Sequence, residues 1–343
     1  MFMLCKGGRV VSAFCRLHPQ QQQGNALFAK RHVRVPRNGG NFGLGRQSAE
    51  FVPNDVPNPS FMLRPRKDVW KAVAFAFGVS GVCYVGAVVS DYERSRRRLM
   101  KNLFDWKYTK PSWWEEKRRE ANSWWEQISP GKKTVGMLIG VNVAVWLLWR
   151  VPRLQPFMLR YFTNGFASKS LCSPMILSVF SHYSLIHLAL NMYVLHNFGG
   201  VSCDRFFGVE QFLAFYVAAG LFSSLGSMVH KAITLNPVTA LGASGAILGV
   251  LTYTCMKIPD AQLQIVFLPF FTFSAEKAVY GLLAFDTIGL LLGWRMFDHA
   301  AHLGGALFGI WYATYGQNIF WKDFRFPIAR AYQKLRYGDA PTN

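Results

Sequence analysis

The chain has 343 residues, of which 51% are hydrophobic and only 16% are charged. Soluble proteins carry about 25% charged residues, so this composition excludes an ordinary soluble domain and favours a protein that crosses a membrane several times. The formal net charge is +20, because the chain has 38 Lys and Arg residues but only 18 Asp and Glu residues.

Part of the basic excess lies at the amino terminus, where residues 1–50 contain no acidic side chain before Glu50. An acid-free, Arg-bearing start is typical of a mitochondrial transit peptide, and we predict a disordered presequence over 1–50. The alternative is a basic arm that binds nucleic acid or lipid. No aromatic or Gly-rich RNA-binding pattern accompanies the charges, so we expect no nucleic-acid partner. Residues 51–68 are rich in Pro and Asn and are predicted to be a linker.

Hydrophobic stretches then predict the membrane segments. Residues 69–90 are expected to form one transmembrane helix, since 72–90 is uncharged and long enough to span a bilayer. The charged, Trp-rich residues 91–133 are predicted to lie on the membrane interface; a solvated helical linker is the alternative. Six further apolar spans are predicted within residues 134–316: 134–149, 184–203, 211–230, 243–258, 278–294 and 299–316.

These segments predict an all-α polytopic membrane protein, with one extra amino-terminal transmembrane helix followed by a six-helix core. A basic tail over 317–343 ends the chain. A transmembrane barrel is excluded because the spans lack period-2 alternation.

The six cysteines are scattered, without the CxxC or CxH spacing of a metal site or the pattern of a disulfide framework. We therefore expect no metal and no cofactor. The cysteines are Cys5, Cys15, Cys83, Cys172, Cys203 and Cys255.

Two polar residues stand out in the apolar spans: Ser244 in LGASGAILG and His302 in FDHAAHLGG. A polar residue inside a bilayer indicates function by default, although a lone serine among small residues is more often a packing residue. Alternate helices of the core run in the same direction, so His187, Ser244 and His302 are expected on one side of the membrane. Each lies near the start of its helix, hence at a similar depth.

Chemistry suggests a role for each residue. A serine hydroxyl becomes nucleophilic when a base removes its proton, and His302 could be that base. Attack of the serine on a carbonyl gives a tetrahedral intermediate, and the oxyanion of that intermediate needs hydrogen-bond donors. The backbone N–H of Ser244 is free within its helix. His187 and Asn191 are four residues apart and share a helix face, so the N–H groups of both side chains could donate to the oxyanion. In the alternative interpretation, these side chains only form hydrogen bonds between helices.

Small residues surround both motifs. Gly242 and Gly245 flank the serine and allow an unusual turn. Gly305 and Gly309 form a GxxxG pattern, and Gly249 repeats that spacing after Gly245, so the two helices are expected to approach closely.

Two acidic residues have two interpretations each. Asp298 precedes His302 by four residues and is predicted to cap the last core helix; alternatively it is a third member that tunes His302. Asp286, inside the fifth core span, is expected to pair with a polar neighbour for structural reasons, with a functional role as the alternative.

The motifs together resemble the rhomboid family of intramembrane serine proteases. The matching elements are the pair Trp149-Arg150, SHYSLIHLALN, LGASGA and AHLGGALFG, within residues 134–316. The resemblance implies cleavage of single-pass membrane proteins within or near their transmembrane helix, without a cofactor. It implies a Ser244–His302 dyad, with His187, Asn191 and the Ser244 amide as oxyanion donors.

The extra helix and the basic presequence resemble mitochondrial members of this family, which implies the mitochondrial inner membrane. The expected partners are transmembrane substrates and the lipid bilayer, and a homo-oligomer is left open. One departure stands out: many bacterial members stack a Tyr, one turn after the serine, on the catalytic histidine, whereas this chain has Leu248. The imidazole must therefore be oriented in another way.

Two other functions were weighed. A rhomboid-like pseudoprotease that retains membrane clients is disfavoured because Ser244 and His302 are both present. A transporter or channel is disfavoured because neither symmetric halves nor charged residues along a path are visible in the sequence. Under the positive-inside rule, different basic loops of this chain predict opposite orientations in the membrane. The rule therefore does not assign the candidate site to one side.

Overall fold

The computed structural model describes residues 2–4, 66–104, 112–265 and 268–338. The predicted linker before residue 66 and most of the predicted presequence lie outside these residues. The described chain is mostly helical. Its α-helices are α1 (Val69–Phe104), α2 (Trp113–Gln127), α3 (Pro130–Leu148), α4 (Gln155–Tyr161), α5 (Ser173–Leu177), α6 (Leu185–Ser202), α7 (Val209–Thr234), α8 (Ser244–Lys257), α9 (Ala275–Leu291), α10 (His299–Trp311) and α11 (Arg325–Tyr337).

A helix occurs at each of the seven predicted spans, namely α1, α3 and α6 to α10. Among the described residues, three helical segments are long and apolar enough to cross a membrane: Arg66–Leu103, Pro130–Leu148 and Val209–Thr234. A fourth is reached if Ser173–Phe180 and Leu185–Phe207, which meet at 87°, are one broken span. The fold is thus that of a polytopic membrane protein.

The outer faces of several helices are apolar. On α3, Met137 and Leu147 are each 53% exposed, and on α9 Leu291 is 79% exposed. Apolar surfaces of this kind are unfavourable in water but favourable in contact with the hydrocarbon of a bilayer. These faces are therefore suited to lipid contact.

Helix α7 lies at the centre of the fold and packs against α1, α8 and α10. Large side chains on it, such as Phe212, Phe215 and Tyr216, are completely buried. Small residues let α10 approach α7: a Cβ on Gly304 would lie 2.6 Å from the carbonyl oxygen of Phe222. The central position of α7 fixes α8 and α10 side by side.

Helix α1 continues to Phe104, well past the predicted boundary at residue 90. Its charged second half binds α11, which lies in what the sequence predicted only as a basic tail. Arg325 of α11 forms an ion pair with Asp91. Tyr332 and Tyr337 donate hydrogen bonds to Glu93 at 2.9 and 2.7 Å. Helix α1 is thus longer than predicted, and the predicted tail contains a helix that packs against its second half.

A small three-stranded antiparallel sheet, with β1 (Phe2–Leu4), β2 (Gln262–Ile265) and β3 (Leu268–Ser274) in that order, corrects the expectation of a purely helical chain. Strands β2 and β3 form a hairpin between α8 and α9. Residues such as Phe, Thr and Ile favour the extended conformation, so the composition of this apolar stretch is compatible with strands. Strand β1 pairs with β2 and falls within the presequence predicted over 1–50.

Candidate active site

The turn that precedes Ser244 depends on the conformation of Gly242 and on two hydrogen bonds donated by backbone N–H groups. Gly242 has a φ of +139°, which a residue with a side chain rarely adopts. Its N–H donates to the carbonyl of Ser178 at 3.0 Å. The N–H of Ala243 donates to Nε2 of the buried His182 at 3.3 Å. Ser244 is therefore presented as the first residue of α8 in a fixed orientation.

Ser244 and His302 are hydrogen-bonded. Nε2 of His302 lies 2.9 Å from Oγ of Ser244, although 58 residues separate them in the chain. His302 is the fourth residue of α10, so both side chains lie in the first turn of their helices. This distance suits transfer of the hydroxyl proton to the imidazole.

The other ring nitrogen of His302 faces Asp286 of α9. Its Nδ1 lies 3.1 Å from Oδ1 of Asp286. The same oxygen lies 2.7 Å from Nδ1 of His299. The ring of Phe297 packs beside His302, with centroids 5.8 Å apart. Asp286 is thus placed at the candidate site rather than in a separate structural pair.

Asp298 caps α10, and this prediction is confirmed. Its Oδ1 accepts the backbone N–H of Ala301 at 3.0 Å, and its Oδ2 accepts from Ser227 at 2.5 Å and Lys231 at 2.7 Å. Burial raises the pKa of Asp298, but Lys231 and these hydrogen bonds outweigh it, so the pKa lies below its ordinary value. The carboxylate fixes the start of α10 and bonds α7, not His302.

The two candidate oxyanion side chains lie in the first turns of α6. The ring of His187 packs on Gly242: a Cβ there would be 2.8 Å from Cε1 of His187. Nδ2 of Asn191 donates to the carbonyl of His187 at 2.9 Å, which uses one of its two N–H groups. His187 is therefore next to the turn that carries Ser244, and Asn191 lies one turn deeper.

The segment between α3 and α6 closes over this end of the molecule. Nε1 of Trp149 donates to Oγ of Ser181 at 2.9 Å, and Arg150 donates to the carbonyl of Tyr183. Asn164 exchanges two backbone hydrogen bonds of 2.7 Å with Ala240. The first two bonds join parts of this segment to each other, and the Asn164–Ala240 pair attaches it to the residues that lead into Ser244.

The predicted glycine faces of α8 and α10 meet. A Cβ on Gly305 would lie 2.0 Å from the carbonyl oxygen of Gly245, and one on Gly309 would lie 2.3 Å from that of Gly249. Backbone therefore packs directly on backbone. Because α8 carries Ser244 and α10 carries His302, this close approach sets their separation.

We expect Gly305→Ala to lower the free energy of unfolding by about 1–3 kcal/mol, the usual cost of overpacking. It should also slow proton transfer from Ser244 to His302, because the methyl group would push the two side chains apart. The control is Gly136→Ala on α3, where a Cβ meets nothing within 4 Å. Thermal unfolding in detergent checks both variants; an equal change in the two would contradict the prediction.

Asp286, His299 and His302 also have the chemistry of metal ligands. One ligand atom from each lies within 4.8 Å of the others. The observed separations of 2.7 and 3.1 Å are those of hydrogen bonds. Bonds of about 2.0–2.2 Å to a tetrahedral ion would hold the ligand atoms about 3.4 Å apart. As arranged, the cluster fits shared protons better than an ion.

Sequence reasoning did not find His299. It occupies the first position of α10, three residues before His302, and so faces the same neighbour on α9. A signal was available: Asp286 and His299 are both ionisable residues in apolar segments, and such residues usually have a partner. Their pairing depends on how α9 and α10 meet, which no local pattern states.

Comparison with known proteins gives the family. A rhomboid domain matches residues 170–318. The mitochondrial presenilin-associated rhomboid-like protein of Homo sapiens is 46% identical over 277 residues, which cover 79% of this chain and 73% of that protein. Its Bos taurus counterpart is 46% identical over 328 residues, covering 92% and 85%. The mitochondrial Rhomboid protein 1 of Saccharomyces cerevisiae is 33% identical over 186 residues, covering 54% and 53%. With these relatives and its apolar helices, the chain is a mitochondrial membrane protein and belongs to the rhomboid family.

Proposed function

We propose that this chain is a serine endopeptidase of the mitochondrial inner membrane, which cleaves single-pass membrane proteins within or near their transmembrane helix. The observation that supports this most directly is the 2.9 Å contact between His302 Nε2 and Ser244 Oγ at the start of two adjoining helices. The proposal includes the arrangement of one amino-terminal helix and a core of six over 134–316. Its partners are transmembrane substrates and lipid, and the reaction needs no cofactor.

In the proposed reaction, His302 takes the proton of Ser244 as the hydroxyl attacks the scissile carbonyl. The N–H of Ser244, with His187 and Asn191, donates to the oxyanion. His302 then protonates the leaving amine, and water resolves the acyl-enzyme. His187 supports this arrangement through its contact with Gly242, two residues before the nucleophile.

The experiment that tests the proposal uses the full chain, reconstituted in liposomes with a single-pass substrate. We expect cleavage by the wild-type chain and none by Ser244→Ala, with the scissile bond mapped by mass spectrometry to the transmembrane segment or its edge. Binding of the substrate without cleavage by either protein would instead support a pseudoprotease.

We expect cleavage to depend on weak helical structure in the substrate. Helical amides are already hydrogen-bonded, so a substrate must unwind locally before its carbonyl reaches Ser244. Replacing Gly or Pro near the scissile bond by Leu should therefore lower the cleavage rate. The control places the same Leu substitutions at the far end of the substrate helix. Equal rates for all three substrates would refute the requirement for unwinding.

A further inference from the structure

One carboxylate oxygen of Asp286 forms hydrogen bonds with two imidazoles. Oδ1 lies 2.7 Å from Nδ1 of His299 and 3.1 Å from Nδ1 of His302. The side chains of His299 and Asp286 are only 2% and 3% exposed, whereas that of His302 is 14% exposed. A buried carboxylate requires hydrogen-bond donors, and the two imidazoles supply them. The three residues therefore form one buried unit behind the candidate base.

The ring of His299 is tightly packed. Its ring lies against Gly289, where a Cβ would come within 2.4 Å of both Cε1 and Nε2. The rings of Phe285, Trp294 and Phe297 surround it, with centroids 5.6 to 6.1 Å away. Within the described part of the chain, Nε2 of His299 has no hydrogen-bond partner. The polar contact of this ring is thus the one to Asp286.

With Asp286 in its carboxylate form, this arrangement selects one tautomer of His302. A carboxylate accepts hydrogen bonds and cannot donate them, so Nδ1 of His302 carries the proton that faces Asp286. Nε2 is then unprotonated and can accept the proton of Ser244. A carboxylate that bonded His302 alone could rotate about its own side chain. The bond from His299 removes that freedom and holds Oδ1 toward His302.

We propose that His299 is a positioning residue: it fixes the carboxylate of Asp286, which in turn holds His302 in the orientation and tautomer that a base for Ser244 requires. This role rests on the proposed protease function. It also accounts for the orientation of the imidazole in a chain that has Leu248 one turn after the serine.

Three substitutions of His299 test the proposal. Asn places an amide nitrogen near the position of the imidazole Nδ1, whereas Gln extends its amide toward the position of Nε2 and Phe keeps only the ring. We expect His299→Asn to retain most of the wild-type kcat. His299→Gln and His299→Phe should lose about 10- to 100-fold in kcat, the loss typical when a residue that orients a metal-bound histidine is replaced. KM should change little in all three, because the side chain of His299 is only 2% exposed and lies behind His302.

A merely structural role predicts a different result. In that case the three variants would lose activity in proportion to their thermal stability, and His299→Asn would be no better than His299→Gln. Equal kcat in all variants would likewise overturn the proposal. A metal site predicts that 1,10-phenanthroline abolishes cleavage by the wild-type chain, and this result would also overturn it.

A second measurement does not depend on cleavage. Imidazole ¹⁵N NMR of the reconstituted protein, with His302 assigned from the spectrum of His302→Gln, reports which nitrogen carries the proton. We expect Nδ1–H in the wild type and in His299→Asn, and a mixture of tautomers in His299→Phe. If neither the wild type nor any variant cleaves but the tautomers follow this pattern, the protease function fails, while the effect of His299 on the tautomer of His302 stands. If the wild type cleaves but the tautomer is the same in all variants, the positioning role fails alone.

Discussion

Ser244→Ala is expected to reduce cleavage of a reconstituted substrate to the uncatalysed background. Loss of the nucleophile in serine proteases costs on the order of 10⁴- to 10⁶-fold in kcat. The hydroxyl of Ser244 is the group that lies 2.9 Å from Nε2 of His302, and an alanine leaves that nitrogen without a proton to accept. Cleavage is measured from the product fragments over time.

The matched control is Ser223→Ala. Ser223 lies on α7, and its Oγ packs where a Cβ of Gly245 would come within 1.8 Å, so it is a buried serine next to the same turn of α8. We expect this variant to keep its activity. His302→Ala should be as inactive as Ser244→Ala, and the double variant no worse, because the two groups act as a unit. Cleavage that survives Ser244→Ala would exclude the proposed mechanism.

Asp286→Asn is expected to lower kcat by about 10²- to 10⁴-fold, the range for general acid–base catalysis and for the acidic member of a Ser-His-Asp triad. The amide can keep an acceptor oxygen near Nδ1 of His302, but it removes the negative charge. The imidazolium that forms as Ser244 attacks would then have no counter-charge in a buried site. The measurement is kcat and KM from initial rates at several substrate concentrations.

Asp298→Asn is the control for this loss. Asp298 is also acidic, partly buried and bonded near the start of α10, but it bonds Ala301, Ser227 and Lys231 instead of His302. This variant should unfold at a lower temperature, because Lys231 loses its partner in a buried position. Its kcat should stay close to that of the wild type. A similar fall of kcat in both variants would mean that Asp286 acts through the stability of the fold.

Much of the architecture follows from short-range patterns in the chain. The length and composition of the apolar stretches predict helices, and a helix is present at each of the seven predicted spans. The capping role of Asp298 follows from its place before an apolar run, and the structure confirms it. Helix parity predicts a common side and depth for His187, Ser244 and His302, because alternate spans run in the same direction. The glycine spacing on α8 and α10 predicts their close approach.

Other features depend on contacts between distant segments. The second half of α1 is charged, and its composition predicts a separate interfacial segment, yet it continues as a helix and binds α11 through Asp91 and Glu93. The hairpin β2–β3 forms in an apolar stretch whose composition alone does not separate a strand from a short buried helix. In each case the neighbouring segment supplies the partner that decides the local structure.

The amino-acid sequence by itself determined the class of this protein, the order of its helices and the identity of the serine and histidine at the candidate site. These follow from residue composition and from the 3.6-residue period of a helix. Only the tertiary structure decided what orients His302. Periodicity states which face of a helix is buried, but not which faces of two helices meet. The contact of Asp286 with His299 and His302 therefore depends on the packing of α9 against α10, which the sequence pattern does not specify.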